Sequence, residues 1–213
     1  MKFKEFIYYV PKIKNIPLPA RASQFKMSPP FREELLERYK NEMKHAQQAA
    51  VLALCYPDKN DMTMMALILR KTYHGVHSAQ IGFPGGRIEP SDNNLLDTAV
   101  RETQEEIGVP GSQVTIIKEL TDLYIPPSNF NVQPFLGIHQ TRPVFIKQED
   151  EVEDIVEVPL NHILDDQLVI KAKVPTSNNM KIEVPAFNFC GHVVWGATAM
   201  MLSEIKDLLK QAL

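Results

Sequence analysis

The chain has 213 residues, 44% of them hydrophobic and 23% charged, which is enough for one well-buried domain with extensions. Its formal net charge of −3 gives no electrostatic reason to expect nucleic acid or an anionic membrane as a partner. No apolar run reaches the roughly 18 residues of a membrane span, and Met1-Lys2-Phe3-Lys4-Glu5 lacks the apolar stretch of a signal peptide, so no membrane partner and a cytoplasmic location are expected.

Taken in chain order, residues 1 to about 28 read as an irregular arm. Lys2, Lys4, Lys12 and Lys14 make it basic, and Pro11, Pro17 and Pro19 are expected to break any helix, while its Phe and Ile side chains predict packing onto the body. Ser28-Pro29 reads as an N-cap and first helical residue, opening an amphipathic helix with Phe31, Leu35, Leu36, Tyr39 and Met43 on one core-facing stripe. Residues 1–48 are thus expected to form an arm and helix packed on a body of residues 49–213. Within that body, 49–56, 64–69, 81–83, 114–118, 132–139, 155–158 and 180–184 are strand candidates separated by Pro, Asn and Asp clusters. Cys55 and Cys190 fall in apolar, strand-like stretches and are expected to be buried free thiols. A helix over about 199–212 closes the chain, with Met201, Leu202, Ile205, Leu208, Leu209 and Ala212 on its apolar side. Strands mixed with two or three helices predict an α+β domain in which helices cover a sheet, and no repeat or linker divides it.

Between the third and fourth strand candidates lies the stretch that carries chemistry: Gly85-Gly86-Arg87-Ile88-Glu89, then Asp92, then Arg101-Glu102-Thr103-Gln104-Glu105-Glu106-Ile107-Gly108. At roughly 100° of rotation per residue, Glu105 and Glu106 fall on either side of Glu102, while Leu96, Ala99, Val100, Thr103 and Ile107 gather on another side. One face is expected to be dry and the other anionic. Like charges at these spacings cost a helix roughly a few tenths of a kcal/mol per pair. A hard divalent cation, Mg²⁺ or Mn²⁺, would offset that repulsion, since it prefers carboxylate and carbonyl oxygens; the plain alternative is a solvated acidic face. The neighbours favour the metal. Arg101 can pair with Glu105 or with Asp92 and so direct the carboxylates, Gly85 and Gly86 permit close backbone approach, and Gly108 is placed as a C-cap.

The segment from Gly86 to Val109 resembles the signature of the Nudix hydrolases: a Gly, a downstream acidic residue, then Arg-Glu-x-x-Glu-Glu-x-Gly. The spacing from Gly86 to Arg101 is one residue longer than the common pattern, with Asp92 in the place of its first Glu. That longer loop is similar to the coenzyme A pyrophosphatase subgroup. So are Leu69-Arg70, His77, Gln80 and Phe83-Pro84-Gly85-Gly86 ahead of the box, and Ile125-Pro126-Pro127-Ser128-Asn129-Phe130, Val132-Gln133-Pro134-Phe135, Glu151-Val152, Val158-Pro159-Leu160 and Trp195-Gly196-Ala197-Thr198 after it. Lys71 and Gly75 depart from the subgroup, which has a small hydroxyl residue and a second Arg there. The resemblance implies an α/β/α sandwich around a mixed β-sheet and hydrolysis of a diphosphate linkage in a nucleoside diphosphate joined to another group. Coenzyme A is the favoured substrate, giving 3′,5′-adenosine bisphosphate and 4′-phosphopantetheine. It further implies Glu102, Glu105 and Glu106 as metal ligands, with the Gly85 carbonyl as a further candidate.

The remaining roles stay open in the sequence. The general base is Glu105, Glu106 or Glu151, the last in an acidic loop that also reads as a solvated turn. Arg70, Lys71, His77 and Arg87 are candidates for gripping substrate phosphate, against surface pairing or support of the glycine loop as the blander roles. Gly86, Asp92, Arg101 and Gly108 are expected to support the site. ADP-ribose, a nucleotide sugar or a nucleoside triphosphate remains an alternative substrate, and a non-catalytic nucleotide sensor an alternative class. A homodimer is suggested by analogy alone.

Overall fold

The computed structural model describes residues 1–71, 80–175 and 181–213. Its helices are α1 (Phe3–Asn15), α2 (Ala20–Gln24), α3 (Arg32–Arg38), α4 (Leu95–Ile107), α5 (Leu160–Leu164) and α6 (Gly196–Ala212). Its strands are β1 (Gln47–Pro57), β2 (Thr63–Arg70), β3 (Ile81–Gly82), β4 (Gly85–Arg87), β5 (Val114–Glu119), β6 (Leu123–Ile125), β7 (Phe130–His139), β8 (Val152–Pro159), β9 (Val169–Pro175), β10 (Lys181–Phe189) and β11 (His192–Trp195).

Strand β1 organises the fold because both of its faces are apolar. Ala50, Leu52, Leu54 and Tyr56 point to one side, where they meet Ala66, Ile68, Ala99 and Ile107. Ala49, Ala53 and Cys55 point to the other, among Phe3, Phe6, Met65, Leu67, Leu202, Ile205 and Leu209. The period of two along a strand therefore assigns α4 to one layer and α1 with α6 to the other. The sheet runs β3-β2-β1-β7-β5, with β4 on β1, β6 on β7 and β8 on β2. The β1–β7 pair is parallel, with Leu52 opposite Phe135, and the β1–β2 pair is antiparallel, so the sheet is mixed. A second sheet, β11-β10-β9, stacks Phe187 and Phe189 beside α6. This is the α+β sandwich that the sequence predicts.

Three local expectations are corrected. The first 28 residues are not an irregular arm, because α1 runs through Pro11. An interior proline costs a helix about 3 kcal/mol; complete or near-complete burial of Phe3, Phe6 and Ile13 offsets it. Ser28 is not an N-cap. Its Oγ donates back to the Phe25 carbonyl at 2.9 Å, and α3 begins four residues later. Cys55 is buried as expected, but Cys190 is exposed at the turn between β10 and β11, where its φ of 53° is left-handed. The closing helix is buried beyond its apolar side: Glu204 accepts from Thr121 and Gln24, and Lys206 reaches the Asp165 carbonyl at 2.9 Å. Among the described residues no helix is long and apolar enough to cross a membrane.

Candidate active site

The site is built where β4 passes beneath α4. Asn94 caps the helix, its side chain accepting from the Asp97 N–H at 3.0 Å, and Gly108 ends it at φ 74°. Strand β4 pairs with the start of β1, placing Gly85 opposite Val51 and Gly86 opposite Ala50. Gly85 cannot carry a side chain without moving the backbone of β1, and a side chain at Gly86 would push the Glu102 carboxylate aside. At Gly85, where φ is 149°, a Cβ would lie 2.3 Å from the Ala50 carbonyl; at Gly86 it would lie 2.4 Å from Glu102 Oε1. The glycines thus let the helix carboxylates rest directly on the strand backbone.

Glu106 is the innermost of them. The Gly85 N–H donates to its Oε2 at 2.7 Å, and Arg70 Nη1 stands 3.1 Å from its Oε1 in an ion pair without hydrogen-bond geometry, which leaves that oxygen buried with no hydrogen bond. The same guanidinium donates through Nη2 to the Gly85 carbonyl at 2.7 Å. Burial pushes the Glu106 carboxyl up to about 7, against the opposing pull of Arg70 and the Gly85 N–H. The sequence reading of one dry and one anionic face is corrected here, because Glu106 lies on the buried side with Ala99, Thr103 and Ile107. Glu102 is half-buried and also raised by burial, with Arg101 opposing. Glu105 is turned outward, its side chain 57% exposed.

Arg101 ties the acidic groups together. It donates to both Asp92 oxygens at 2.9 and 3.0 Å, to Glu102 Oε1 and Glu105 Oε2 at 3.0 Å each, and to the Arg87 carbonyl at 3.1 Å. Asp92 accepts further from the Glu89 N–H and the Thr98 hydroxyl, and the Arg101 guanidinium holds its carboxyl well below the usual carboxylate range. The expected choice between Glu105 and Asp92 is resolved as both.

Beyond α4 the chain folds back along the helix end. The Ile146 and Gln148 N–H groups donate to the Ile107 and Glu106 carbonyls at 3.0 Å each, and Gln148 Oε1 accepts from the Asp150 and Glu151 N–H groups at 2.7 Å. Glu151 is exposed, and its charge raises the carboxyls of both Glu102 and Glu106. Lys71 joins it through the backbone, its N–H donating to the Glu151 carbonyl at 2.9 Å. Arg87 is exposed and touches Gln47 at 3.4 Å. His77 and Gly75 lie outside the described residues. The sequence did not reveal that Arg70 grips Glu106 and Gly85, partners 36 and 15 positions away; a lone arginine at a strand end carries no signal of either.

Among the described residues, no three acidic, histidine or cysteine side chains already form a metal cage. The donor chemistry nevertheless fits a hard cation. Gly85 O, Glu102 and Glu106 are oxygen donors held by two guanidiniums, and one buried carboxylate oxygen has no hydrogen bond.

The NUDIX domain pattern matches residues 46–176, more than half of the chain. The chain belongs to the Nudix hydrolase family. An uncharacterized Nudix hydrolase, NudL, of Pectobacterium atrosepticum is 31% identical over 165 residues, covering 75% of this chain and 81% of that protein. NudL of Yersinia enterocolitica is 34% identical over 122 residues, 56% of this chain; the match spans 60% of that protein, less than two thirds of its length. Among solved Nudix structures, RenU of M. smegmatis superimposes with a TM-score of 0.54 at 13% identity over 78% of this chain and 87% of that one. A MutT/nudix family protein from Enterococcus faecalis gives 0.53 at 15% identity over 84% and 69%. These two likenesses bear on the Nudix fold alone.

Proposed function

We propose that the chain is a divalent-metal-dependent hydrolase of the diphosphate bond in nucleoside diphosphates linked to another group, with coenzyme A or a derivative as its substrate. The observation that supports this reading is the convergence of Glu102 and Glu106 on the Gly85-Gly86 backbone: the Gly85 N–H holds Glu106, Arg70 bridges Glu106 and the Gly85 carbonyl, and Glu102 lies where a Gly86 side chain would. Glu102, Glu105, Glu106 and the Gly85 carbonyl would hold Mg²⁺ or Mn²⁺. Bound there, the ion would supply charge neutralisation of diphosphate oxygens and would lower the pKa of a water.

The protein's own groups do the rest. Arg101 keeps Glu102 and Glu105 directed through its anchor on Asp92. Arg70, with Lys71, His77 and Arg87, supplies cations for the substrate phosphates. The proton of the attacking water goes to Glu105, Glu106 or Glu151. Of these, Glu151 is exposed and has no ion pair among the described residues, which leaves its carboxylate available as a base.

Lys71 and Gly75, where the subgroup has a hydroxyl residue and an arginine, favour a second reading with ADP-ribose, a nucleotide sugar or a nucleoside triphosphate as substrate. The test is to incubate the protein with coenzyme A, ADP-ribose, NADH and nucleoside triphosphates, with Mg²⁺ or Mn²⁺, beside Glu105→Gln, and to resolve products by mass. Release of 4′-phosphopantetheine that is lost in the variant supports the coenzyme A reading. Turnover of another diphosphate transfers the substrate assignment. No turnover of any compound overturns the hydrolase reading in favour of a nucleotide sensor.

A further inference from the structure

Away from α4, a groove opens between α2 and α3, and its inner end is built around Arg32. Arg21, Phe25, Leu36 and Met43 line it throughout, and Arg32 and Tyr124 close its inner end. Arg32 is 8% exposed, yet its guanidinium is poorly satisfied: one Nη donates to the Tyr124 carbonyl, while Nε is buried with no hydrogen bond. Among the described residues no carboxylate forms an ion pair with it. Asp122, on the rim, is exposed and accepts from Asn131 Nδ2 at 3.0 Å, and Glu37, at the outer end, pairs with Lys40 at 3.1 Å. Glu33, also on the outer part, is exposed. Burial, and after it the charge of a second cation, Arg21, lower the Arg32 guanidinium to about 10.

A buried charge without a counter-ion is costly, and the fold retains it beside another of the same sign. What relieves both is an anion with several oxygens, and a guanidinium fork matches a phosphate better than any single-point acceptor. We propose that Arg32 and Arg21 form a phosphate-monoester subsite, with the apolar part of the ligand lying along Phe25, Leu36 and Met43. The subsite is separate from the carboxylates. Tyr124 pairs with Asn131 on β7, β7 with β1 and β1 with β4, and three strand spacings span about 14 Å. The proposal does not depend on the diphosphatase reading.

The test uses the full chain in EDTA, titrated at low millimolar concentration with inorganic phosphate, AMP and adenosine, read by calorimetry and thermal unfolding. Phosphate and AMP are expected to bind and raise the unfolding midpoint, and adenosine to do neither. Arg21→Gln, an exposed substitution that leaves the core intact, is expected to weaken AMP about tenfold, the effect of losing one charged contact. Arg32→Met is expected to abolish binding while unfolding at an equal or higher midpoint without ligand, because it removes an unpaired buried charge. Equal phosphate responses in wild type and both variants, or no response in the wild type, overturn the subsite. A second arm identifies the ligand's source: if the phosphate belongs to the far end of the hydrolysed substrate, Arg21→Gln raises KM for coenzyme A more than for its dephospho form. Equal KM changes assign it to a separate molecule.

Discussion

Replacing Glu106 by glutamine tests whether burial or charge pairing dominates at the centre of the site. In the folded chain this carboxyl is pushed from its ordinary 4.5 up to about 7, chiefly by burial. A group that holds its proton more tightly when folded favours the folded state below pH 4.5 and loses that contribution as pH rises through 7. The displacement corresponds to roughly 3 kcal/mol. Glutamine keeps an oxygen for the Gly85 N–H but carries no charge to desolvate. Without divalent cation, Glu106→Gln should therefore match the wild type at about pH 4.5 and exceed it by about 2–3 kcal/mol at about pH 8. Urea unfolding in EDTA at several pH values measures the difference directly. A difference that does not change with pH, or a wild type that is the more stable protein at pH 8, would refute the reasoning, since the Arg70 pair would then outweigh desolvation. Adding Mn²⁺ at pH 8 should reverse the order, because only an ionised carboxylate serves as a ligand.

Three further outcomes are expected. Gly85→Ala forces a Cβ to within 2.3 Å of the Ala50 carbonyl, so it should destabilise the fold by more than about 2 kcal/mol in thermal unfolding, and a wild-type midpoint would refute the packing. Arg101→Lys replaces a fork that reaches Asp92, Glu102, Glu105 and the Arg87 carbonyl by a single point charge. Mn²⁺ affinity measured by calorimetry should fall about 10–100-fold, and unchanged affinity would remove Arg101 from the support of the site. In the native protein a thiol reagent should label Cys190 rapidly and Cys55 only on unfolding, as mass analysis of the modified peptides would reveal.

The parts of the molecule that were legible in the sequence are those whose signals are local. The apolar run of β1, the acid-bearing helix that ends at Gly108 and the adjacent glycines each declare themselves within a short window. The acid-bearing helix could be placed, yet the side on which Glu106 lies could not, because burial of that carboxylate depends on a backbone N–H supplied by β4. Helix α1 was hidden by Pro11, whose local penalty is overridden by the core contacts of Phe6 and Ile13. The burial of Arg32 was likewise invisible, since its partner Tyr124 is 92 positions away, whereas strands β9 and β11 were missed although each pairs with the neighbouring β10.

The stretch that folds back along the end of α4 has no regular secondary structure, yet the Glu106 and Ile107 carbonyls hold it and Gln148 passes that hold on to Glu151. The separation between the helix carboxylates and Glu151 is therefore a built dimension, like the span of a caliper, and not the average of a wandering loop. A tug on either arm reaches the other through two hydrogen bonds. Insertions near Thr141 and Arg142 would be taken up before the chain reaches the clamp, whereas deleting one residue between Gln148 and Glu151 would close its jaws and shift Glu151 against the helix carboxylates.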